Sequence, residues 1–124
     1  APICYADDAG AQVLGTLSDG RPGLVVKAGE GWTSVFSTAP LLPARLMRAI
    51  VEGAGVHTYI ETDDVVWANR QMVAVSVKEG GRRKVRLPRA GCVRDLYSGE
   101  YVAQDVAEFE TDFAEHATRV FTIE

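Results

Sequence analysis

The sequence lacks the features that mark several specialised classes of protein. No apolar run approaches about 18 residues, so there is no candidate transmembrane helix, and no secretory signal is visible. The net charge is −4, whereas nucleic-acid-binding proteins usually carry a basic excess. We therefore expect no membrane and no nucleic-acid partner. The chain begins at Ala1, which fits a processed product or a piece of a longer protein.

Cysteine is also scarce, since Cys4 and Cys92 are the only two in the sequence. Two distant cysteines provide neither a disulfide framework nor the ligand spacing of a zinc site. We expect two separate thiols, with one long-range disulfide as the alternative. No metal or other cofactor is expected.

The composition is that of a globular chain. Its 124 residues are enough for one domain with a hydrophobic core, and 47% of them are hydrophobic. This content of apolar residues excludes a disordered chain.

The first half of the chain predicts a hairpin and a helix. The run from Gly23 to Glu30 and the alternating segment from Trp32 to Thr38 are strand-like, and glycines lie between them. The helix is expected at about Pro43 to Gly53, because proline suits a first turn and Gly55 suits a C-terminal stop. Its apolar face comprises Leu46, Met47, Ile50, Val51 and Ala54.

The second half predicts strand after strand, spaced at about 7 to 11 residues, as in small antiparallel sandwiches. The expected strands are Val65 to Asn69, Met72 to Val77, Arg83 to Pro88, Cys92 to Tyr97, Glu100 to Gln104, Ala107 to Phe113 and Ala117 to Ile123. The predicted fold is α+β, mainly an antiparallel β-sandwich with one principal helix near residues 43–53. An α/β-like segment, 1–63, and a β-sandwich, 64–124, are expected to form one compact unit.

One stretch, AGVHTYIETDDVVWANRQMVAV from Ala54 to Val75, combines a histidine with acidic residues. In a strand His57, Glu61 and Asp63 would share a face, which allows a sparse metal site. An enzyme using His57, Asp63 and His116 is a further alternative. No nucleophile elbow, glycine-rich dinucleotide fingerprint or P-loop accompanies them, so no catalytic residue is assigned.

We favour a simpler interpretation, in which this stretch joins a helix to a strand. Gly55 ends the helix, Val56 and Tyr59 enter the core, and residues 61–64 form an acidic turn. His57 then makes a local hydrogen bond.

A basic segment follows, with five cations in eight residues: Arg82, Arg83, Lys84, Arg86 and Arg89. We interpret it as a solvated hairpin edge, where cations discourage strand aggregation. An anion-binding patch is the alternative, and the cations could also neutralise an acidic surface on an adjacent domain.

Aromatic side chains offer the remaining candidate site. Trp32, Trp67, Tyr97 and Tyr101 would bind carbohydrate if they were exposed, because flat apolar ring faces can stack on sugars. The alternating strands around Trp32 and Trp67 instead favour core or interface positions for both.

Several motifs carry a family resemblance that spans about Val13 to Ile123. They are the DG-P turn at Asp19 to Pro22, the strand at Trp32 to Ser37, the LLPA-LMRAI helix, AGVH-Y, DDVVWAN and the DLYSGE hairpin. Together they resemble the C-terminal region of beta-galactosidase-like glycoside hydrolases. In those proteins a TIM-barrel catalytic domain precedes an amidotransferase-like trimerisation domain and a small β-domain.

The resemblance implies a noncatalytic role, because the catalytic glutamates of such enzymes lie in the barrel, which this chain lacks. We therefore expect a C-terminal accessory module that supports oligomerisation or packs on other domains of a parent hydrolase. Its partners would be those domains or further copies of itself. A carbohydrate-binding module is the alternative, and the expected location is the bacterial cytoplasm.

Overall fold

A computed structural model describes residues 4–124 and confirms an α+β chain that is mainly antiparallel β. The chain divides into two compact units between Val56 and His57. The division was expected after residue 63. Residues 57–63 belong to the second unit instead, because the backbone N–H of Arg86 donates to the carbonyl of Tyr59. Within residues 4–124, no helix has the length and apolar character needed to cross a membrane.

The first unit contains a three-stranded antiparallel sheet in the order β1-β2-β3 and one helix. The elements are β1 (Gln12–Thr16), β2 (Pro22–Gly29), β3 (Trp32–Ser37) and α1 (Ala44–Gly53). The predicted hairpin and helix are both present. Gly31, with φ of 77°, forms the hairpin turn, and Gly55, with φ of 74°, follows the helix end. Strand β1 was not predicted.

The second unit is a five-stranded antiparallel sheet in the order β4-β5-β8-β6-β7. Its strands are β4 (Val65–Ala68), β5 (Met72–Ser76), β6 (Gly81–Asp95), β7 (Tyr101–Phe113) and β8 (Thr118–Ile123). Strand β4 lies at one edge, and β8, the last strand in the sequence, lies in the middle.

Two long strands replace four predicted short ones. Arg83 to Pro88 and Cys92 to Tyr97 were expected as separate strands, but β6 runs through the first segment and on to Asp95 in the second. Likewise, β7 takes in nearly all of the two segments predicted between Glu100 and Phe113. The pairing of β6 with β7 shifts register three times between Arg86 and Arg94. These irregularities bend the strands without ending them, which local turn signals do not reveal.

The second unit has a valine- and phenylalanine-rich core. Val73, Val75, Val85, Val93 and Phe121 are fully buried. The rings of Phe109 and Phe113 meet that of Phe121 edge-on, at centroid distances of 5.2 and 6.4 Å. Since β8 pairs with β6 only at Val93–Asp95, these contacts show that the far half of the β6–β7 hairpin folds over the sheet. The unit is therefore sandwich-like.

One partly buried ion pair, in which Asp95 is buried and Arg119 is 28% exposed, joins three strands of this unit. Asp95 accepts hydrogen bonds from Nε and Nη2 of Arg119 at 3.0 and 2.8 Å, and from the backbone N–H groups of Tyr97 and Ser98. Arg119 also donates to the hydroxyl of Thr111 on β7, and its guanidinium lies 5.0 Å from the ring centre of Phe121. Burial by itself raises the pKa of Asp95, but these hydrogen bonds hold that pKa below its ordinary value of 3.8.

We expect Arg119→Met to lower the free energy of unfolding by about 3 kcal/mol, because it leaves the Asp95 carboxylate buried without its cation. Arg82→Met is the matched control, since the Arg82–Glu110 pair is exposed and should contribute less than about 1 kcal/mol. Urea unfolding followed by circular dichroism measures both. Equal losses of stability in the two variants would contradict the larger stabilising role assigned to the Asp95–Arg119 pair.

Candidate functional site

The histidine stretch lies beside β6 in the second unit. His57 Nε2 is 3.1 Å from the carbonyl oxygen of Arg86, and its ring meets that of Tyr59 edge-on at 4.7 Å. The expected local hydrogen bond is therefore wrong, because the partner lies 29 residues away. Tyr59 packs against the core as expected, but Val56 is exposed. His57 thus connects the segment after α1 to strand β6 through the carbonyl of Arg86.

The acidic residues of the stretch meet the basic segment. Asp64 Oδ2 lies 2.6 Å from Nε of Arg83, and both side chains are largely buried, at 10% and 13% exposure. Glu61 forms an ion pair with Arg86. The hydrogen bond from Arg83 lowers the pKa of Asp64, the Thr62 hydroxyl adds to this effect, and burial opposes it. These two carboxylates neutralise arginines of the same chain.

No metal site results from this arrangement. Within the described part of the chain, no group of three or more His, Cys, Asp or Glu side chains could hold a metal ion. His116 lies in the turn before β8 with φ of 57°, and its Nε2 is 3.6 Å from Glu115. Both Cys4 and Cys92 are free thiols.

The basic segment lies in the β6–β7 hairpin, as predicted, and β8 does not pair with it. Strand β6 pairs with β7 throughout residues 81–86. The Arg82–Glu110 and Lys84–Glu108 ion pairs, at 2.9 and 3.0 Å, connect the two strands. Arg89 is the one cation of the five with no ion pair to a described residue. Carboxylates of the chain thus offset most of the positive charge that suggested an anion-binding patch.

All four aromatic residues selected for carbohydrate binding are exposed. Trp67 is 61% exposed on β4, Tyr97 is 76% exposed in the β6–β7 turn, and Tyr101 is 50% exposed on β7. Trp32, in the first unit, is 53% exposed. Core or interface positions were favoured for both tryptophans, and their exposure contradicts the core positions alone.

The strand register places Trp67 and Tyr101 on the same face of the five-stranded sheet. Trp67 pairs with Ala74, so these two side chains lie on one face. Met72 is two residues from Ala74 and lies on the same face, and its row of paired residues continues across β8 and β6 to Tyr101 on β7. The two rings are nevertheless on the two edge strands. Four strand spacings, roughly 19 Å, separate those strands. These residues do not form a single stacking platform.

A groove of about 280 Å³ lies on the first unit. Its apolar lining includes Tyr5, Val25, Trp32 and Phe36, and its polar lining includes Asp7, Asp8, Lys27 and Ser34. Val25 and Phe36 are paired residues, as are Lys27 and Ser34, so these side chains project from one face of the sheet.

Of the residues in this groove, only Trp32 was predicted from the sequence as a binding residue. Lys27 Nζ lies 2.5 Å from Asp8 Oδ2, although the two residues are 19 positions apart. Without the strand pairing, the sequence contains no signal that joins them. The alternation in β2 and β3 could at most have placed Lys27 and Ser34 on the same face as Trp32.

Comparison with protein-family models, curated proteins and solved structures gave no match for this chain. The resemblance to beta-galactosidase-like hydrolases stays a prediction.

We expect His57→Ala to lower the free energy of unfolding by about 0.5–1.5 kcal/mol, because it removes the contact with the Arg86 carbonyl. Any ligand affinity should be unchanged. His116→Asn is the control, since asparagine tolerates a left-handed backbone. Denaturant unfolding measures the change. Unaltered stability together with lost ligand affinity would make His57 a binding residue.

Acidification should weaken the Asp64–Arg83 pair. Since the folded-state pKa of Asp64 lies below 3.8, its stabilisation is complete above about pH 4 and disappears as the pH falls through that lower pKa. Asp64→Asn should therefore be less stable than wild type near neutral pH, with the gap narrowing toward about pH 2. Urea midpoints across that range provide the measurement, and a constant gap would disprove the linkage.

Proposed function

We propose that this chain is a noncatalytic C-terminal accessory module of a glycoside hydrolase. In this proposal its first unit packs on another domain of that hydrolase or on a second copy of the chain. The observation that carries the proposal is that α1 has an apolar face but no buried residue.

Helix α1 is poorly stabilised by its own surroundings. Leu46, Met47, Ile50 and Val51 lie on one side of the helix; Met47 is 46% exposed, and the other three are partly buried. The helix has only ten residues, with no side-chain cap at its start, and so short a helix is marginal without tertiary packing. Fully burying an exposed Met side chain contributes about 1.5–3 kcal/mol, and a side chain that is already partly buried contributes less. A partner surface would supply that contribution.

The rest of the first unit also has few buried residues. Between residues 4 and 56, only Gly23 and Val25 are buried. Leu14, Val35 and Leu41 are among its exposed apolar side chains. Such side chains commonly mark interaction surfaces when they occur together.

The link to a glycoside hydrolase rests on the sequence resemblance. That resemblance assigns catalysis to a barrel domain and gives this chain a supporting role. We accordingly expect no glycosidase activity from the chain alone.

Carbohydrate binding is the second candidate function, favoured by the exposure of Trp32, Trp67, Tyr97 and Tyr101. An aromatic side chain exposed to water loses the stabilisation that burial would provide. Rings that are held in place at such positions suit the apolar faces of sugars.

The packing proposal predicts different results for two glutamate substitutions in α1. Met47→Glu adds charge to the apolar face. Ala49→Glu makes the same charge change about 200° around the helix, on its polar side. We expect wild type to self-associate, or to bind an apolar fluorescent dye if its natural partner is another domain. Met47→Glu should weaken either property by about tenfold or more, and Ala49→Glu should preserve it.

Light scattering over a concentration series and dye titration, with circular dichroism as a folding control, measure these properties. A wild-type chain that stays monomeric and binds no dye would refute the packing proposal. Equal effects of the two substitutions would refute the role of the apolar face.

A further inference from the structure

We propose that the groove on the first unit is a binding site for a neutral sugar ring of an oligosaccharide, with the indole of Trp32 as its stacking platform. The proposal deepens the second candidate function and rests on it. It does not use the apolar face of α1.

The indole of Trp32 packs against the backbone at Gly29. Trp32 pairs with Gly29 across the β2–β3 hairpin. A Cβ atom added at Gly29 would lie 2.2, 2.4 and 2.5 Å from Cε2, Cζ2 and Nε1 of the indole, respectively. Cε2 is bonded to both Cζ2 and Nε1, and it is nearer to the added Cβ than either of them. An atom in the plane of the indole beyond this edge would be nearer to Cζ2 and Nε1, so the added Cβ lies above the plane of the ring. The absence of a side chain at Gly29 therefore lets the indole rest against the backbone.

About half of Trp32 is accessible to a ligand. Trp32 is 53% exposed and lines the groove together with Tyr5 and Phe36. The guanidinium of Arg21 lies 4.7 Å from the centre of the Tyr5 ring, which helps to position that ring. A fixed aromatic ring costs less conformational entropy on binding than a mobile one. The groove thus presents rigid apolar surface to a ligand.

Polar groups beside the rings match sugar hydroxyls. The Asp8 carboxylate accepts from Lys27 Nζ at 2.5 Å and from the backbone N–H of Gly10 at 2.9 Å. Ser34 lies opposite Lys27 on the same face. Carboxylate, ammonium and hydroxyl groups together offer both acceptors and donors, and each sugar hydroxyl can act in either role.

The charges of the groove favour a neutral sugar. The opposite charges of Asp8 and Lys27 offset each other, and Asp7 adds a negative charge to the lining. An acidic sugar would meet repulsion there. Ligand sites commonly have volumes from about 300 Å³ upward, so a groove of about 280 Å³ suits a small ligand such as one or two sugar rings.

The test is a titration of the full chain with lactose, cellobiose and maltose, followed by calorimetry and tryptophan fluorescence. In a Trp67→Phe background, Trp32 is the sole tryptophan, and its emission should shift on binding. We expect Trp32→Ala and Gly29→Ala to weaken binding at least tenfold. Gly29→Ala keeps the indole but places a methyl group where the indole packs against the backbone. Lys27→Met should weaken binding without altering the hairpin.

The variants separate failure of the site from failure of the function. Circular dichroism checks folding, and if Gly29→Ala or Trp32→Ala unfolds the hairpin, Lys27→Met decides. Binding that survives Trp32→Ala and Lys27→Met but is lost in Trp67→Ala would overturn the groove and keep carbohydrate binding. No binding of any of the three sugars would overturn both, while the packing proposal would stand.

Discussion

The ion pair between the buried Asp95 and the partly exposed Arg119 is the interaction on which the second unit depends. It joins the end of β6 to β8, and the contact of Arg119 with Thr111 adds β7. Asp95 also accepts from the backbone of the turn that leads into β7. A charge pair in a core costs desolvation, and hydrophobic residues of similar volume can often replace it without loss of stability. Its value here is geometric, because it specifies how the folded-over hairpin meets the sheet.

The two units contrast in how they are stabilised. The second has a continuous core of valines and phenylalanines. The first has a regular hairpin and helix but only two buried residues between positions 4 and 56. Backbone hydrogen bonds can define such elements, but apolar burial is the main favourable contribution to their stability. This imbalance is the physical basis for proposing a partner surface for the first unit.

The sequence predicted those elements whose signals are local. Helix α1 has a 3.6-residue apolar period, a proline before it and Gly55 after it, and the structure places it at Ala44–Gly53. The long strands β6 and β7 were predicted in pieces, because Pro88 and Gly91 are turn residues by local rules. Only pairing with β7 shows that the chain bulges there and continues.

Side-chain partners were harder to predict than strands. Composition alone indicates an acidic turn at residues 61–64 and a basic segment in β6, but it does not indicate that the two meet. Asp64 and Arg83 are 19 residues apart, and no periodicity connects them. The same limit applies to Asp8 and Lys27 in the groove. Strand pairing brings these residues together, so they become visible only once the register is known.

The position of β8 has a consequence for how the second unit forms during synthesis. Strand β8 lies between β5 and β6, yet it follows all the other strands in the sequence. Until it leaves the ribosome, the β4–β5 and β6–β7 hairpins have no strand to join them, and their inner apolar faces stay open to water. Closure of the sheet must then wait for Thr118–Ile123, and until that point the exposed apolar surface and unpaired strand edges favour aggregation.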